Sequence, residues 1–526
     1  MSILVFLILF SLLSFFLIYF LPFLNLTFYF LEWGFVSYKV SLVYDNLLFS
    51  LALLFVTLSV LVFSSYYLDG ELNFNYYYFV LLVFVGSMFS LMFSTGSFSM
   101  LLSWDVLGIS SFFLVLFYNN WDSCSGAMNT VLTNRIGDFF LFIFFSGVVF
   151  SGWYFFGISV FIFLSSLFLL LAAFTKSAQF PFSSWLPKAM SAPTPVSSLV
   201  HSSTLVTAGL ILIMNFKNLV LSMDLSIFLL LVGLFTMFFS SVSALLEEDM
   251  KKVVALSTLS QMGFCVLTVG LGLSFVSLVH MVSHAFFKSC LFMPVGFLIH
   301  NSFGQQDGRN YSNLGNVPYC IQLPLLVTLF CLCGLLFSSG AVSKDFILEF
   351  FYFNNFWFLL SLMFFFSVFL TFCYSYRLWK GFFISFGKSV FVASSSFLMS
   401  FLSLLLVFMS IFFLWWLSSN LMQVPSMYLY FDFFVPLIFV LMIVVFVYFV
   451  VKFLLKEVVY KFLVDYYAKV FVYFLNNFKF FDMFLGGLNN KGYDFFFVKG
   501  SGFLMLLSNL YFNSLVLVLF FLFFMF

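Results

Sequence analysis

Stretches of about twenty consecutive apolar residues follow one another from end to end of this chain, and they constrain its fold more than any other feature. They lie near 1–30, 45–65, 76–96, 98–118, 131–150, 155–174, 195–214, 225–246, 253–271, 274–300, 321–339, 356–374, 391–417 and 431–451, with a last one at 503–526. A helix of ~20 apolar residues is what the hydrocarbon core of a bilayer requires for one crossing. Within that core every backbone amide must find its partner inside the chain, which a helix provides. The sequence therefore predicts an all-α polytopic membrane protein with roughly fourteen to sixteen transmembrane helices.

Charge agrees with this reading. Only 7% of the 526 residues are charged and 64% are hydrophobic, whereas a soluble domain carries about a quarter charged residues. Lys and Arg total 20 against 19 Asp and Glu, a net charge of +1, so a basic nucleic-acid surface is excluded as the main business of the chain. Phe accounts for 93 residues; it covers a lipid-facing surface as well as Leu does, and such an excess is what a T-rich organellar genome produces. The seven cysteines (124, 265, 290, 320, 331, 333 and 373) contain no C-x-x-C pair and read as small buried hydrophobes rather than metal or iron–sulfur ligands. The N-terminal run lacks a basic leader and a small-residue cleavage site, so it reads as a retained helix.

Two polar stretches interrupt the apolar pattern. One is KSAQFPFSSWLPKAMSAPTPVSS at 176–198, with Pro181, Pro187, Pro193 and Pro195; the other is SSGAVSKD at 338–345, with Gly340. Irregular backbone survives at membrane depth only when it is enclosed by protein or lines a water-filled cavity, so these breaks point to a transport path. For 176–198 an ordinary connecting loop is the competing reading. Further on, Lys452, Lys456, Glu457, Lys461, Asp465 and Lys469 mark a polar stripe along 452–482. That segment reads as an amphipathic helix lying along an interface or another protein, with a charged helix on the aqueous side as the alternative.

An ionisable group at the centre of a membrane helix costs about 2.5–3.5 kcal/mol on insertion scales, so each one needs a partner, a water path or a function. Asp105, Lys176, Lys344 and all four histidines (201, 280, 284 and 300) fall in, beside or at the end of apolar runs. Arg135 and Asp138 share one helix face at a spacing of three, either as a functional pair or as a brace for helix packing. The strongest constellation is His280, His284 and Lys288, three titratable residues at spacings of four on a single face. Histidine titrates near neutrality, and a desolvated lysine binds its proton less tightly than one in water, so this row suits a water-assisted proton relay. A His-x3-His metal site is the bland alternative, but no adjacent carboxylate or Cys completes it. The stretch GFFISFGKS at 381–389 mimics a phosphate loop but has one residue too many between its glycines, and no G-x-G-x-x-G follows a strand.

Taken together, TKSAQFPFSSWLPKAMSAPTPVSSLVHSST, EDMKKVVALSTLSQMG, HAFFKSCLF, NRIGD and SKD, in that family's characteristic setting, resemble the antiporter-like membrane subunits of respiratory complex I and the related multi-subunit sodium/proton antiporters. The likeness covers about 45–380, and the long C-terminal extension is similar to that of the family member with a lateral helix. The resemblance implies two inverted five-helix repeats, each with a broken helix. It implies Asp105 and Lys176 as a switchable ion pair in the first repeat and His201 on the link to the centre. Lys288 would be the central carrier and Lys344 would face the exit side. The sequence departs from the family at Asp105, where Glu is usual, so pairing with Lys176 calls for a water or a shifted helix. It departs also at Ser183 and Lys188, and at the second break, where Gly334 and Gly340 replace a proline.

The resulting organisation is an N-terminal transmembrane segment at 1–44, an antiporter-like core at 45–385, additional transmembrane helices at 386–451, the lateral helix at 452–482 and an anchoring helix at 503–526. The resemblance implies a proton-translocating subunit of complex I in the mitochondrial inner membrane. It implies no cofactor on this chain, with NADH, FMN, iron–sulfur clusters and ubiquinone on other subunits. The partners it implies are the neighbouring membrane-arm subunits, reached along the lateral helix, and membrane lipids. A sodium/proton antiporter subunit and a mainly structural scaffold are the competing functions.

Overall fold

The computed structural model describes residues 26–384, except 34–35, 152–157, 218–222, 312–318, 336–337 and 354–357, together with 403, 405–411 and 442. Two compact units divide the chain, Met1–Pro436 and Leu437–Phe526, and every described residue but Met442 belongs to the first. The lateral helix expected at 452–482, the anchor at 503–526 and most of the helices expected at 386–451 and before residue 26 lie outside the described residues.

The first described element is not helical. Strand β1 (Leu26–Trp33) pairs antiparallel with β2 (Val36–Leu42), setting Leu26 opposite Leu42 and Trp33 opposite Val36. The apolar run drawn to residue 30 thus gives way to strand at Leu26. The cause is local: β2 reads Val-Ser-Tyr-Lys-Val-Ser-Leu, an alternation of period two that puts apolar and polar side chains on opposite faces.

Among the described residues the named elements after β2 are all helical. They are α1 (Tyr44–Tyr67), α2 (Phe74–Phe93), α3 (Ser97–Val115), α4 (Trp121–Ser151) and α5 (Ile158–Lys176). The short α6 (Trp185–Ala189) and α7 (Thr194–Val196) lead into a π-helical stretch, Ser197–Thr204, and then α8 (Leu205–Asn215). The remainder are α9 (Met223–Leu246), α10 (Met250–Gly270), α11 (Ser274–Asn301), α12 (Tyr319–Cys333), α13 (Ser339–Phe353) and α14 (Phe358–Trp379). Among the described residues, eight helical spans are long and apolar enough to cross a membrane. The many Ser and Thr residues do not break them, because their hydroxyls return to carbonyls one turn back: Ser59 to Val56 at 2.7 Å and Thr57 to Leu54 at 2.9 Å.

The bundle has an apolar exterior and encloses its ionisable side chains within a largely apolar core. Phe79 is 67% and Phe139 63% exposed, whereas Lys176, His201, His280, His284 and Lys288 are all at 0%. Two spans are wholly enclosed by their neighbours: α11, and the composite α7–π–α8 span. These two carry four of the ionisable side chains singled out above, so the architecture places titratable chemistry on its most shielded elements.

Both breaks are present, one as expected and one displaced. After Lys176 the chain leaves helix geometry through Ala178, whose φ is 53°, and resumes only at Trp185; Pro193 then precedes α7 and Pro195 lies in its first turn. Proline lacks an N–H, so it is tolerated at a helix start and breaks a helix interior. Pro181 sits in the irregular part of this break. The second break begins earlier than the 338–345 expected: Gly334 has φ +74°, a backbone conformation that glycine adopts without steric cost, and helix resumes at Ser339. Lys344 is therefore on a helix. Gly340 is also within that helix, where it lets α13 press against the end of α12; a Cβ there would collide with the Cys331 carbonyl.

Helices α9 and α10 meet backbone to backbone. A Cβ on Gly233 would lie 2.7 Å from the Leu267 nitrogen, and one on Gly263 would lie 2.8 Å from the Met237 nitrogen. Small residues permit this approach, and dispersion across it replaces the hydrophobic drive that lipid does not supply. Replacing Gly263 by Val forces the helices apart and is expected to cost about 1–3 kcal/mol. Gly86→Ala, where a Cβ meets nothing within 4 Å, leaves stability unchanged. Thermal unfolding of the detergent-solubilised protein distinguishes the two.

Candidate functional site

Trp104 organises the first cluster. It projects from α3 into the bundle and is fully buried. Lys176, the last residue of α5, donates from Nζ to the Trp104 carbonyl oxygen at 2.7 Å, and the ammonium stands 3.7 Å from the centroid of the Trp104 ring. An ammonium over an indole face is attracted by the ring quadrupole. The same indole donates from Nε1 to Asp138 Oδ1 at 2.9 Å, and Arg135, one turn earlier on α4, reaches Asp138 Oδ2 at 3.5 Å. Lys176 and Asp138 are thus bridged through one tryptophan.

Asp105 is half-buried on α3. Among the described residues no ion pair joins Lys176 to it. The direct Asp105–Lys176 pair is therefore not formed in this arrangement. Asp138, paired in the sequence reading with Arg135, is also joined to Lys176 through Trp104.

His201 stands at the centre, on the π-helical stretch. The Thr204 hydroxyl donates to the Leu199 carbonyl five residues back, at 2.9 Å, as the wider turn allows. The imidazole packs 6.0 Å from the Trp185 ring, and the indole of Trp185 donates to the Thr175 carbonyl at 3.0 Å. Neither ring nitrogen of His201, nor of His284 on α11, has a hydrogen-bond partner among the described residues. Leaving a buried polar group unpaired costs about 1–3 kcal/mol, which bridging water relieves.

The second cluster surrounds α11. Lys288 donates to the Ser257 hydroxyl of α10. About two turns back along α11, His280 holds two partners: Nδ1 is 2.8 Å from Ser343 Oγ on α13, and Nε2 is 3.0 Å from Gln261 Oε1 on α10. Gln261 and Ser260 both contact the Tyr374 hydroxyl on α14, at 3.4 and 3.1 Å. Lys344, next to Ser343, donates to the Leu332 carbonyl exposed at the end of α12. The spacing-of-four reading thus places His280, His284 and Lys288 along one buried row, with each of the three in a different hydrogen-bonding environment. His300, at the exposed end of α11, lies apart between the rings of Tyr66 and Tyr67.

Trp104, Ser257, Gln261, Ser343 and Tyr374 went unnoticed in the sequence. Of these, Gln261 had a signal, a lone amide in the run VVALSTLSQMGFCVLTV; an amide left unpaired in an apolar setting costs several kcal/mol by transfer scales of about 2–7 kcal/mol.

Two cavities open at opposite ends of α1. One, of about 690 Å³, is lined by Tyr67, Tyr118, Asp122, Lys188, Asp249 and Lys251. Lys251 is buried there, its Nζ 3.5 Å from the Ala192 carbonyl at the first break. The other, of about 260 Å³, is lined by Asp45, Asn46, Asn215 and Lys217 among others. Asp45 begins α1 and Tyr67 ends it, so the mouths are about 30 Å apart at 1.5 Å per residue.

Residues 94–371 match the family described as NADH:quinone oxidoreductase/Mrp antiporter, TM. The chain is 69% identical over 512 residues to NADH-ubiquinone oxidoreductase chain 5 of Ascaris suum, covering 97% of this chain and 94% of that one. It is 65% identical over 508 residues to the protein of the same name from Caenorhabditis elegans, covering 97% and 96%. Its fold is like a chain of the Mrp complex from a Dietzia species, with TM-score 0.71 at 22% identity, over 88% of this chain and 56% of that one. A chain of an archaeal membrane-bound sulfane sulfur reductase is similar at TM-score 0.67 and 20% identity, over 76% and 70%.

The Trp104 bridge carries its own expectation. Trp104→Phe keeps the carbonyl and an aromatic face for Lys176 but removes the donor to Asp138. A lost hydrogen bond to a buried charged group is worth about 1.5–3 kcal/mol, and the unfolding midpoint of the solubilised protein is expected to fall accordingly.

Proposed function

Because this chain belongs to the NADH-ubiquinone oxidoreductase chain 5 family, within the wider group of NADH:quinone oxidoreductase/Mrp antiporter membrane subunits, we propose that its buried lysines and histidines carry the protons it translocates. It is a multi-pass membrane subunit of complex I. The observation that carries the assignment of residues is the row of Lys176, His201, His284, Lys288 and Lys344, buried to 4% exposure or less across the middle of a bundle with an apolar exterior.

Such burial makes sense for a carrier. A lysine in water, with a pKa of about 10.4, holds its proton too tightly to pass it on, and desolvation weakens that hold. A carboxylate nearby strengthens it again, so moving the carboxylate moves the proton. In this reading Lys176 is loaded and unloaded by changes in its distance from Asp138 and Asp105, with Trp104 as the fixed cradle between them. His201 and His284, whose ring nitrogens have no hydrogen-bond partner among the described residues, connect the two lysine clusters through bridging water. The cavity at Lys188 and Lys251 admits protons on one side, and Lys344 beside the second break hands them on. The first five helices and their break would form one repeat, and the second break would belong to the other.

The remaining assignments follow from the same reading. Redox chemistry with NADH, FMN, iron–sulfur clusters and ubiquinone is assigned to other subunits. The chain lies in the mitochondrial inner membrane beside neighbouring antiporter-like subunits, with 452–482 along them and lipid around the Phe-rich exterior.

Lys176→Met and Lys288→Met are expected to leave the complex assembled while lowering proton pumping in sealed membrane vesicles roughly tenfold or more, as for loss of a positioned proton-transfer group. Normal pumping by both variants overturns the assignment. Pumping that depends on sodium would point instead to a sodium/proton antiporter activity on this scaffold, and silent lysine variants combined with loss of assembly on truncation after Val451 would point to a scaffold.

A further inference from the structure

We propose that His280 is a one-sided proton station: it gains and loses protons only through Nδ1, toward Ser343 and Lys344, because Gln261 keeps its other nitrogen protonated. The proposal deepens the proton-moving reading and rests on it.

The direction of each hydrogen bond around His280 follows from counting hydrogens. The Ser260 hydroxyl has a single proton, and it is spent on the Ser257 carbonyl at 2.9 Å. Of the two directions open to the 3.1 Å contact between Ser260 and Tyr374, donation by the tyrosine is the one that keeps the shorter Ser260–Ser257 bond. With its own proton committed, the Tyr374 oxygen accepts from Gln261, which fixes the amide with its nitrogen toward Tyr374 at 3.4 Å and its oxygen toward His280. An amide oxygen only accepts, so His280 Nε2, 3.0 Å away, must carry hydrogen. In the neutral ring Nδ1 is then the basic nitrogen, and it accepts from the Ser343 hydroxyl at 2.8 Å, a closer acceptor for that proton than the Gly340 carbonyl at 3.4 Å.

A proton enters by one route. The Ser343 O–H bond breaks toward Nδ1 as Ser343 takes a proton in turn through bridging water; its source in this reading is Lys344, whose ammonium is held at the Leu332 carbonyl and becomes a neutral amine while His280 becomes imidazolium. The reverse steps return it. Release from Nε2 would need Gln261 to accept a proton, which an amide does not do near neutrality. Protons travelling between Lys288 and Lys344 thus run past His280, which sets the electrostatic field at Lys344 instead of standing in series. The titratable and charged groups that face His280 among the described residues are His284 and, a turn further, Lys288 on α11, Lys344 on α13 and Tyr374 on α14.

The test uses the assembled complex in sealed vesicles, with NADH-driven proton pumping measured against pH. Gln261→Met removes the acceptor that favours imidazolium and is expected to move the pumping midpoint to lower pH by about half a unit or more. Gln261→Glu supplies a charged acceptor and is expected to move it to higher pH by a similar amount. Tyr374→Phe releases the amide to invert, giving a smaller shift in the direction of Gln261→Met, and serves if either Gln261 variant does not assemble. Midpoints unmoved, moved in one common direction by both Gln261 variants, or a loss equal at every pH overturn the proposal. Lys288→Met separates the two levels: if it pumps normally the proton-moving reading fails, and if it does not pump while the Gln261 profiles stay unmoved, the one-sided station alone fails.

Discussion

The cost of placing charge in hydrocarbon governs this molecule. An ammonium or imidazolium that faces lipid loses its hydration and gains nothing, so Lys176, His201, His280, His284, Lys288 and Lys344 can exist at membrane depth only when other helices enclose them. That need explains why α11 and the α7–π–α8 span are central. It also explains why the outer helices can be so rich in Phe: once the charges are enclosed, the lipid-facing surface is free to use any large apolar side chain.

Enclosure then creates a second demand, for hydrogen-bond partners. Helix ends and neutral side chains meet it. Lys176 takes the Trp104 carbonyl, Lys344 takes a carbonyl that the end of α12 leaves open, Lys288 takes a serine hydroxyl, and His280 takes an amide and a hydroxyl. Among the described residues no ion pair joins Lys176 or Lys288 to a carboxylate at contact distance, so neither sits in the deep electrostatic trap that would hold a proton permanently. The ring nitrogens of His201 and His284 have no hydrogen-bond partner among the described residues. The interior is a set of weakly held titratable groups, which fits groups that must exchange.

How much of this was legible in the sequence depended on the size of the energetic signal. The helical spans were, because twenty apolar residues in a row have few other uses, and so were the buried lysines, whose insertion cost is large. The β1–β2 hairpin was missed because its aromatic and aliphatic residues extend an apolar run; the alternation in Val36–Leu42 was present but short. The second break was drawn too late because Ser338, Ser339 and Ser343 look loop-like, whereas one left-handed residue, Gly334, does the breaking. Trp104, Gln261 and Tyr374 were invisible as a group because neutral polar side chains are cheap enough to occur anywhere, and only the packing of α3, α10, α13 and α14 shows what they join. Asp138 was read with Arg135, its neighbour on the helix, since its link to Lys176 crosses between elements far apart in the chain.

The glycine contact between α9 and α10 limits how the interior can move. With Gly233 and Gly263 bringing the two backbones together, neither helix can slide or tilt alone without a collision. Any displacement of α10 that alters the surroundings of Lys288 or His280 must carry α9 with it as a single lever, so a rearrangement at the buried row is delivered to the opposite flank of α9 as a rigid-body motion rather than absorbed locally.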